Sequence, residues 1–359
     1  MSLDAVGGIW RYALDLATEL RQLGIETVFA GFGPQPSEQQ LREVSAQGIV
    51  VWTHAPLDWT TSQEDRLDEI PDLLADLVAS NSIDLVHLNL PSQAAGLRVD
   101  IPVVVMAHSC VVTWFRAVRD GELPGDWAWQ EKRNRHGFDR ADIVVSPSQS
   151  HAKALRVSYG HIPHLQVVYN SSQAPLSSTP KENFAFAAAR WWDEGKNGAV
   201  LDLAAARASL PVVMAGAVHG PNGQYCAINN AERRGQLTHR ETMTLMSRAA
   251  IVVSPSVYEP FGLVPLEAAR AGAALVLADI PTYRELWDGA ALFADPHDPQ
   301  TFADAINHLA SNAKSRIDLA RLAQERSSVF SPIAQGRAMA GIYNRLMPRV
   351  VSPQRESQI

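Results

Sequence analysis

Two doubly wound α/β domains of similar size, facing each other across a cleft, are what this sequence predicts. Three observations carry that expectation. Short apolar runs alternate with amphipathic helical stretches along nearly the whole chain, the pattern of parallel sheets joined by right-handed crossovers. Several runs are apolar at every position, as strands covered on both faces should be. One Ser- and Pro-rich stretch, residues 171–183, is poor in large apolar side chains and splits the alternation in two. The expected units are residues 1–171, residues 172–331, and a tail of 332–359. With 359 residues, each half is long enough to bury its own core.

In chain order, the first helix is marked by the stripe Ile9, Ala13, Leu16, Ala17, Leu20 and Leu23, stopped by Gly24. Strands are expected at 26–30, 49–52, 83–88, 102–107, 142–146 and 165–168. In the second half they are expected at 184–187, 211–215, 250–254, 273–277 and 291–293. Thr238 with Glu241 forms a capping box that opens a helix running to about residue 249. Residues 332–347 form an amphipathic helix that is expected to pack back across the first domain. The mixed-charge stretch 131–140 suits a solvated helix face better than a membrane-facing one. In sheets of this kind ligands collect at the carboxyl ends of the strands, so the cleft is the expected site.

Composition narrows the function. A net charge of -7 disfavours a nucleic-acid partner, which would call for a broad basic surface. The two cysteines, Cys110 and Cys226, are far apart and outside any C-x-x-C, which fits a reducing compartment and gives no metal signature. No apolar run is long enough to cross a bilayer, and there is no basic-then-apolar leader. The expectation is a cytoplasmic protein with no transmembrane segment, its contact with the inner face of a membrane at most peripheral.

The most informative stretch is 254–268. It holds Glu259 and Glu267, eight positions apart, with Pro260-Phe261-Gly262-Leu263 between them, directly after an apolar strand. Pro260 and Gly262 should carry the chain off the strand and into a helix. The first N–H groups of that helix favour phosphate oxygens, and Gly262 allows close approach. Glu267, one turn into the helix, is placed to accept hydrogen bonds from ribose hydroxyls, and Glu259 faces the other end of the ligand. Two solvated glutamates flanking a turn are the bland alternative, which the surrounding Pro-Phe-Gly-Leu makes the weaker one.

A second motif, Ala189-Arg190-Trp191-Trp192-Asp193-Glu194-Gly195-Lys196-Asn197, follows the first strand of the second half. Arg190 and Lys196 can bracket a diphosphate and stabilise it as it departs. Further candidates are weaker taken one at a time. Gly7-Gly8 opens the first helix. His108 ends a buried strand. The loop from Gly216 to Tyr225, with Gly235-Gln236-Leu237, can wall a nucleobase. Trp114, Trp127 and Trp129 suit either a sugar platform or, more often, a core.

Together these residues resemble the retaining glycosyltransferases of the large "group 1" family, family 4, with the GT-B fold of two Rossmann-like domains. The resemblance is strongest over 189–295 and runs in order through nearly the whole chain. It implies that Glu259 contacts the donor sugar and Glu267 the ribose, and that Phe261, Gly262 and Leu263 lie at the phosphates. It also implies that Arg190 and Lys196 hold the diphosphate and that His108 and Gly7–Gly8 face the donor from the first domain. Ala189 stands where the family has glycine. The implied reaction moves a sugar from a UDP- or GDP-linked donor to a hydroxyl of a glycan, lipid or small molecule, with retention, no metal and no other cofactor, as in polysaccharide biosynthesis. A nucleotide-sugar epimerase of the same architecture and a non-catalytic nucleotide-sugar binder are the alternatives. Family members begin with a buried strand. Only six residues precede Gly7 here, so the first domain is expected to lack that central strand.

Overall fold

The structure, a computed structural model, describes residues 1–347 apart from 120, 122 and 222. The strands of the first half are β1 (Ser2–Asp4), β2 (Val28–Phe32), β3 (Ile49–Trp52), β4 (Val86–Leu88), β5 (Val103–Met106), β6 (Ile143–Ser146) and β7 (Leu165–Val167). Those of the second half are β8 (Glu182–Ala188), β9 (Val212–Ala215), β10 (Glu232–Gly235), β11 (Ala249–Ser254), β12 (Ala274–Ala278) and β13 (Leu292–Ala294). The helices of the first half are α1 (Gly8–Gln22), α2 (Glu38–Ser45), α3 (Ile70–Ser80), α4 (Val111–Val118), α5 (Ala128–Arg140) and α6 (Gln149–Tyr159). The second half has α7 (Gly198–Ala205), α8 (His239–Arg248), α9 (Leu263–Arg270), α10 (Pro281–Trp287), α11 (Pro299–Ser311), α12 (Ala313–Ser327) and the final α13 (Pro332–Leu346).

All paired strands run parallel. The second sheet has the order β10-β9-β8-β11-β12-β13, which reverses direction between β8 and β11. The first half forms ladders β1-β2-β3 and β4-β5-β6-β7. β1 lies beside β4, and the two are stitched by the Asn89 amide, which donates to the Ser2 carbonyl at 2.6 Å, and by the Asn89 N–H, which donates to Ser2 Oγ at 2.7 Å. The first half thus has the same reversal, between β1 and β4. In doubly wound sheets the crevice for ligands lies beyond the carboxyl ends of the strands at this reversal.

The missing central strand is therefore a correction. Ser2, Leu3 and Asp4 form it, paired with Ala30, Gly31 and Phe32 and fully buried. Six residues suffice because the turn that follows is very short: Asp4 Oδ1 accepts the Val6 N–H at 2.9 Å, and the helix starts at Gly8. A short polar side chain closing its own turn replaces the longer loop that was assumed.

β3 lies where it was expected, and most other strands shift by one to three residues. β10, with sequence Glu-Arg-Arg-Gly, was missed because an exposed edge strand carries no apolar run. Thr238 and Glu241 form the expected capping box. α13 packs against α1, with Tyr343 Oη 2.5 Å from His87 Nδ1 and Met339 wholly buried in the core of the first half.

The solvated face expected for 131–140 is one side of α5, where Glu131, Lys132, His136 and Asp139 are exposed, and the other side faces inward. α5 buries Gln130, Arg133, Asn134, Gly137 and Phe138. Arg133 donates to Asp68 at 2.9 Å and to the Leu67 carbonyl at 2.6 Å, so its charge is paired rather than solvated. Gly137 lies so close to the 91–93 turn that a Cβ there would stand 1.8 Å from the Pro91 carbonyl oxygen. Gly137→Ala should therefore cost about 1–3 kcal/mol through forced displacement of backbone. Thermal or urea unfolding that matches the wild type would contradict this packing.

Candidate functional site

The two sequence motifs meet because the strands that deliver them are neighbours. β8 ends at Ala188 and releases the 189–197 loop. β11 ends at Ser254 and releases the 255–262 loop. Asn197, in a left-handed conformation at φ 57°, ties the loops together by donating to the Pro255 carbonyl at 3.0 Å and the Pro296 carbonyl at 2.7 Å. The Val257 N–H donates to the Gly195 carbonyl at 3.0 Å. The outcome is an ion pair between the motifs: Lys196 Nζ lies 2.6 Å from Glu259 Oε2, with both side chains under 20% exposed (18% and 17%).

Gly262 caps α9 at φ 89° and ψ 83°, a region that costs a residue with a Cβ, and such a Cβ would stand 2.9 Å from the Tyr283 ring. The first N–H groups of α9 have no partner within the helix, and Pro265 carries none. The Phe261 ring turns away from the cleft and packs against Phe330 and Tyr169, so only its backbone serves the loop. Glu267 lies one turn along α9, 8% exposed. Burial raises its carboxyl to about 8, repulsion from Asp15 adds to the rise, and Arg11 opposes it.

The first half closes the site from α1. A Cβ on Gly7 would stand 3.3 Å from the Arg190 guanidinium, and one on Gly8 would stand 3.6 Å from Leu263 Cδ1. Gly8, Arg11 and Asp15 share one face of α1 at helical spacing. That face reaches Leu263 and then Glu267, so both domains frame the same groove. Arg11 and Asp15 were missed by the sequence reading. Their signal was their spacing from Gly8, which the apolar stripe on the other face of the helix overshadowed.

Arg190 lies over the Trp192 ring at 5.4 Å and 3.7 Å from Asp193. Gly216, at φ 127°, lies against Ala189, where a Cβ would be 1.8 Å from the carbonyl oxygen. Its N–H donates to the Gly235 carbonyl at 2.7 Å. Gly216 thus holds the 216–225 loop and β10 beside Arg190, and half-buried Leu237 packs on the core at the end of β10. On the first-half side, His108 Nε2 is 3.0 Å from Asn89 Oδ1, and its ring meets Tyr12 edge-on at 4.2 Å. The Asn89 amide nitrogen is spent on Ser2, so Nε2 carries the proton and Nδ1 is an acceptor. Burial, and then the neighbouring His151, hold the imidazole down at about 3, so it works as a neutral hydrogen-bonding group.

Of the tryptophans, Trp129 packs on the first-half core, whereas Trp114 donates across the cleft to Asp193 at 2.9 Å. Further contacts cross the same boundary. Thr113 Oγ1 lies 2.8 Å from Tyr258 Oη, Ser148 Oγ donates to the Pro260 carbonyl at 2.6 Å, and Glu285 accepts the Gln149 and Ser150 N–H groups at the start of α6. No group of His, Cys, Asp and Glu suited to a metal ion occurs among the described residues, and no helix among them is long and apolar enough to cross a membrane.

Comparison with known proteins gives the same picture. Residues 6–171 match the family model described as Glycosyltransferase Family 4, and residues 206–326 match that of Glycosyl transferases group 1. The D-inositol 3-phosphate glycosyltransferase of Corynebacterium glutamicum is 24% identical over 383 residues, covering 94% of this chain and 91% of that protein. The glycogen synthase of Mycobacterium tuberculosis is 36% identical over 112 residues, 30% of this chain and 27% of that one. Among solved structures, the sucrose-phosphate synthase of Thermosynechococcus elongatus superposes with a TM-score of 0.79 at 16% identity, covering 96% of this chain and 98% of that one. Anabaena HepE in complex with UDP-glucose does so at 0.74 and 17%, covering 96% and 99%. These structures share the fold of two Rossmann-like domains about a cleft.

The raised carboxyl of Glu267 has a consequence for stability. Its ordinary value is 4.5 and its folded value about 8, so the folded protein holds a proton that the unfolded chain releases. Its contribution is complete below about 4.5 and is lost as pH rises through about 8. Glu267→Gln removes the charge and keeps the shape. The variant should show a smaller fall in melting temperature between pH 5 and pH 9 than the wild type. Identical profiles would mean that Glu267 is solvated.

Proposed function

The chain belongs to the group 1, family 4 glycosyltransferases, and from that premise we propose that it moves a hexose from a UDP- or GDP-linked donor to an acceptor hydroxyl with retention at the anomeric carbon. The observation that carries the proposal is the convergence of Lys196, Glu259, Arg190 and the start of α9 at the reversal point of the second sheet, with α1 of the first half lying over them.

In this reading the diphosphate lies at the Leu263 and Val264 N–H groups, where the helix dipole favours anions. Lys196 and Arg190 supply fixed positive charge to the departing phosphate, so the reaction needs no metal. A diphosphate carries more charge than one carboxylate, so Lys196 exchanges Glu259 for phosphate when donor binds. That frees Glu259 to accept hydrogen bonds from hydroxyls of the donor sugar. Glu267 accepts from the ribose, and neutral His108, held by Asn89, offers its Nδ1 lone pair to a hydroxyl at the first-domain side. Leu237 and the 216–225 loop wall the base.

The acceptor hydroxyl attacks from the face the phosphate leaves. The anomeric carbon–phosphate oxygen bond breaks, the bond to the acceptor oxygen forms, and the acceptor proton passes to the departing phosphate. Closure of the cleft keeps water from taking the acceptor's place. The reading assigns the acceptor to the first half and the enzyme to the cytoplasm, with membrane contact only for a lipid-borne acceptor. That HepE binds UDP-glucose in the same fold supports a nucleotide-sugar donor. The missing strand, which had motivated a non-catalytic binder, is present.

The direct test screens UDP- and GDP-sugars by thermal shift and then follows nucleotide release and product anomer by NMR. Retention of the donor's anomeric configuration is expected. An inverted product, or an epimerised donor without transfer, would overturn the proposal. Lys196→Ala should lower kcat by about 10²–10³-fold while the fold persists. An unchanged rate would remove Lys196 from the leaving-group role.

A further inference from the structure

We propose that Trp114 is a positioning residue of the transfer reaction: its indole N–H, donated from the first domain to Asp193, holds the turn that presents Arg190 and Lys196 to the donor's diphosphate. The inference rests on the reading of this site as a diphosphate cradle.

Asp193 is the hub of that turn, and its side chain is 12% exposed. Its Oδ1 accepts two hydrogen bonds, from Trp114 Nε1 at 2.9 Å and from the Gly195 N–H at 2.9 Å. Its Oδ2 lies 3.7 Å from the Arg190 guanidinium. Its carbonyl accepts the Lys196 N–H at 2.9 Å. One residue therefore sets the backbone of Lys196 and competes for the charge of Arg190, and half of its Oδ1 hydrogen bonding comes from the other domain.

The donor group is held in register. The indole lies so close to Gly195 that a Cβ there would stand 2.8 Å from Trp114 Nε1. Trp114 sits on α4, whose cap, Cys110, follows His108 by two residues. The loop that places His108 at the cleft thus leads directly into the helix that grips the Arg190–Lys196 turn. Without the indole N–H, Oδ1 keeps a single donor, and the carboxylate satisfies itself by drawing on Arg190, which then leaves the phosphates. The neighbouring Arg119–Glu194 pair, at 2.6 Å, joins the same elements. Its side chains are half-exposed (52% and 53%), so solvent screens it and it supplies little of this constraint.

The test is calorimetric and needs no acceptor. Binding of UDP and UMP, and of GDP and GMP, is measured for the wild type and for Trp114→Phe, which keeps an aromatic ring and loses the donor. The preference for diphosphate over monophosphate should fall about tenfold in Trp114→Phe, with monophosphate affinity and melting temperature unchanged. Asp193→Ala, which removes the acceptor oxygen, should also lose the preference, and the double variant should show no further loss, because Trp114 acts through Asp193 alone. Arg119→Gln should keep the wild-type preference. Three results would overturn the inference alone: a preference retained in Trp114→Phe, losses that add in the double variant, or an equal loss in Arg119→Gln. A wild-type protein with no preference for the diphosphate would overturn the cradle reading, and this inference with it.

Discussion

The ion pair between Lys196 and Glu259 is the constraint on which the rest of the site depends. Two partly buried groups of opposite charge at 2.6 Å hold together loops that belong to different strands, and they do so where the sheet reverses direction. A charge in such a place is tolerated because it is paired. The same pairing keeps a cation at the mouth of α9, where an anion is already favoured by the helix start. A ligand bearing phosphates and hydroxyls offers each member of the pair a new partner, the phosphate for Lys196 and hydroxyls for Glu259.

The second-half groove works only with α1 above it. Gly7 and Gly8 lie at contact distance from the Arg190 guanidinium and the Leu263 side chain, so the first half approaches the second closely here. That approach depends on β1, whose three residues fill the centre of the first sheet, and on Asp4, which turns the chain directly into α1. The buried Glu267 carboxyl follows from the same closeness, since Asp15 and Arg11 reach it from α1. Geometry in one domain thereby sets the electrostatics of the other.

Much of this was legible in the sequence. Strands buried on both faces announce themselves by unbroken apolar runs, and Gly262 and the glutamates on either side of it mark a strand-to-helix turn through residue types that few other structures require. β1 was illegible because three residues make no periodicity and because the Asp4 turn that makes it possible is a side-chain effect. β10 failed for the opposite reason, its polar residues suiting an edge. The solvated side of α5 was legible in its run of charges, but its inward side was not, because Arg133 gives no sign of burial until Asp68 and the Leu67 carbonyl are seen to pair with it. Contacts across the cleft, such as Trp114 with Asp193 and Thr113 with Tyr258, leave no local pattern, since the partners are 79 and 145 residues apart.

The measurement that bears most directly on the account is a crystal structure with a nucleoside diphosphate bound. The account predicts phosphate oxygens about 3 Å from Lys196 Nζ and from the Leu263 N–H, with Lys196 parted from Glu259 and the ribose hydroxyls on Glu267. A nucleotide bound elsewhere, or bound in the cleft with the Lys196–Glu259 pair intact and the phosphates away from α9, would contradict it.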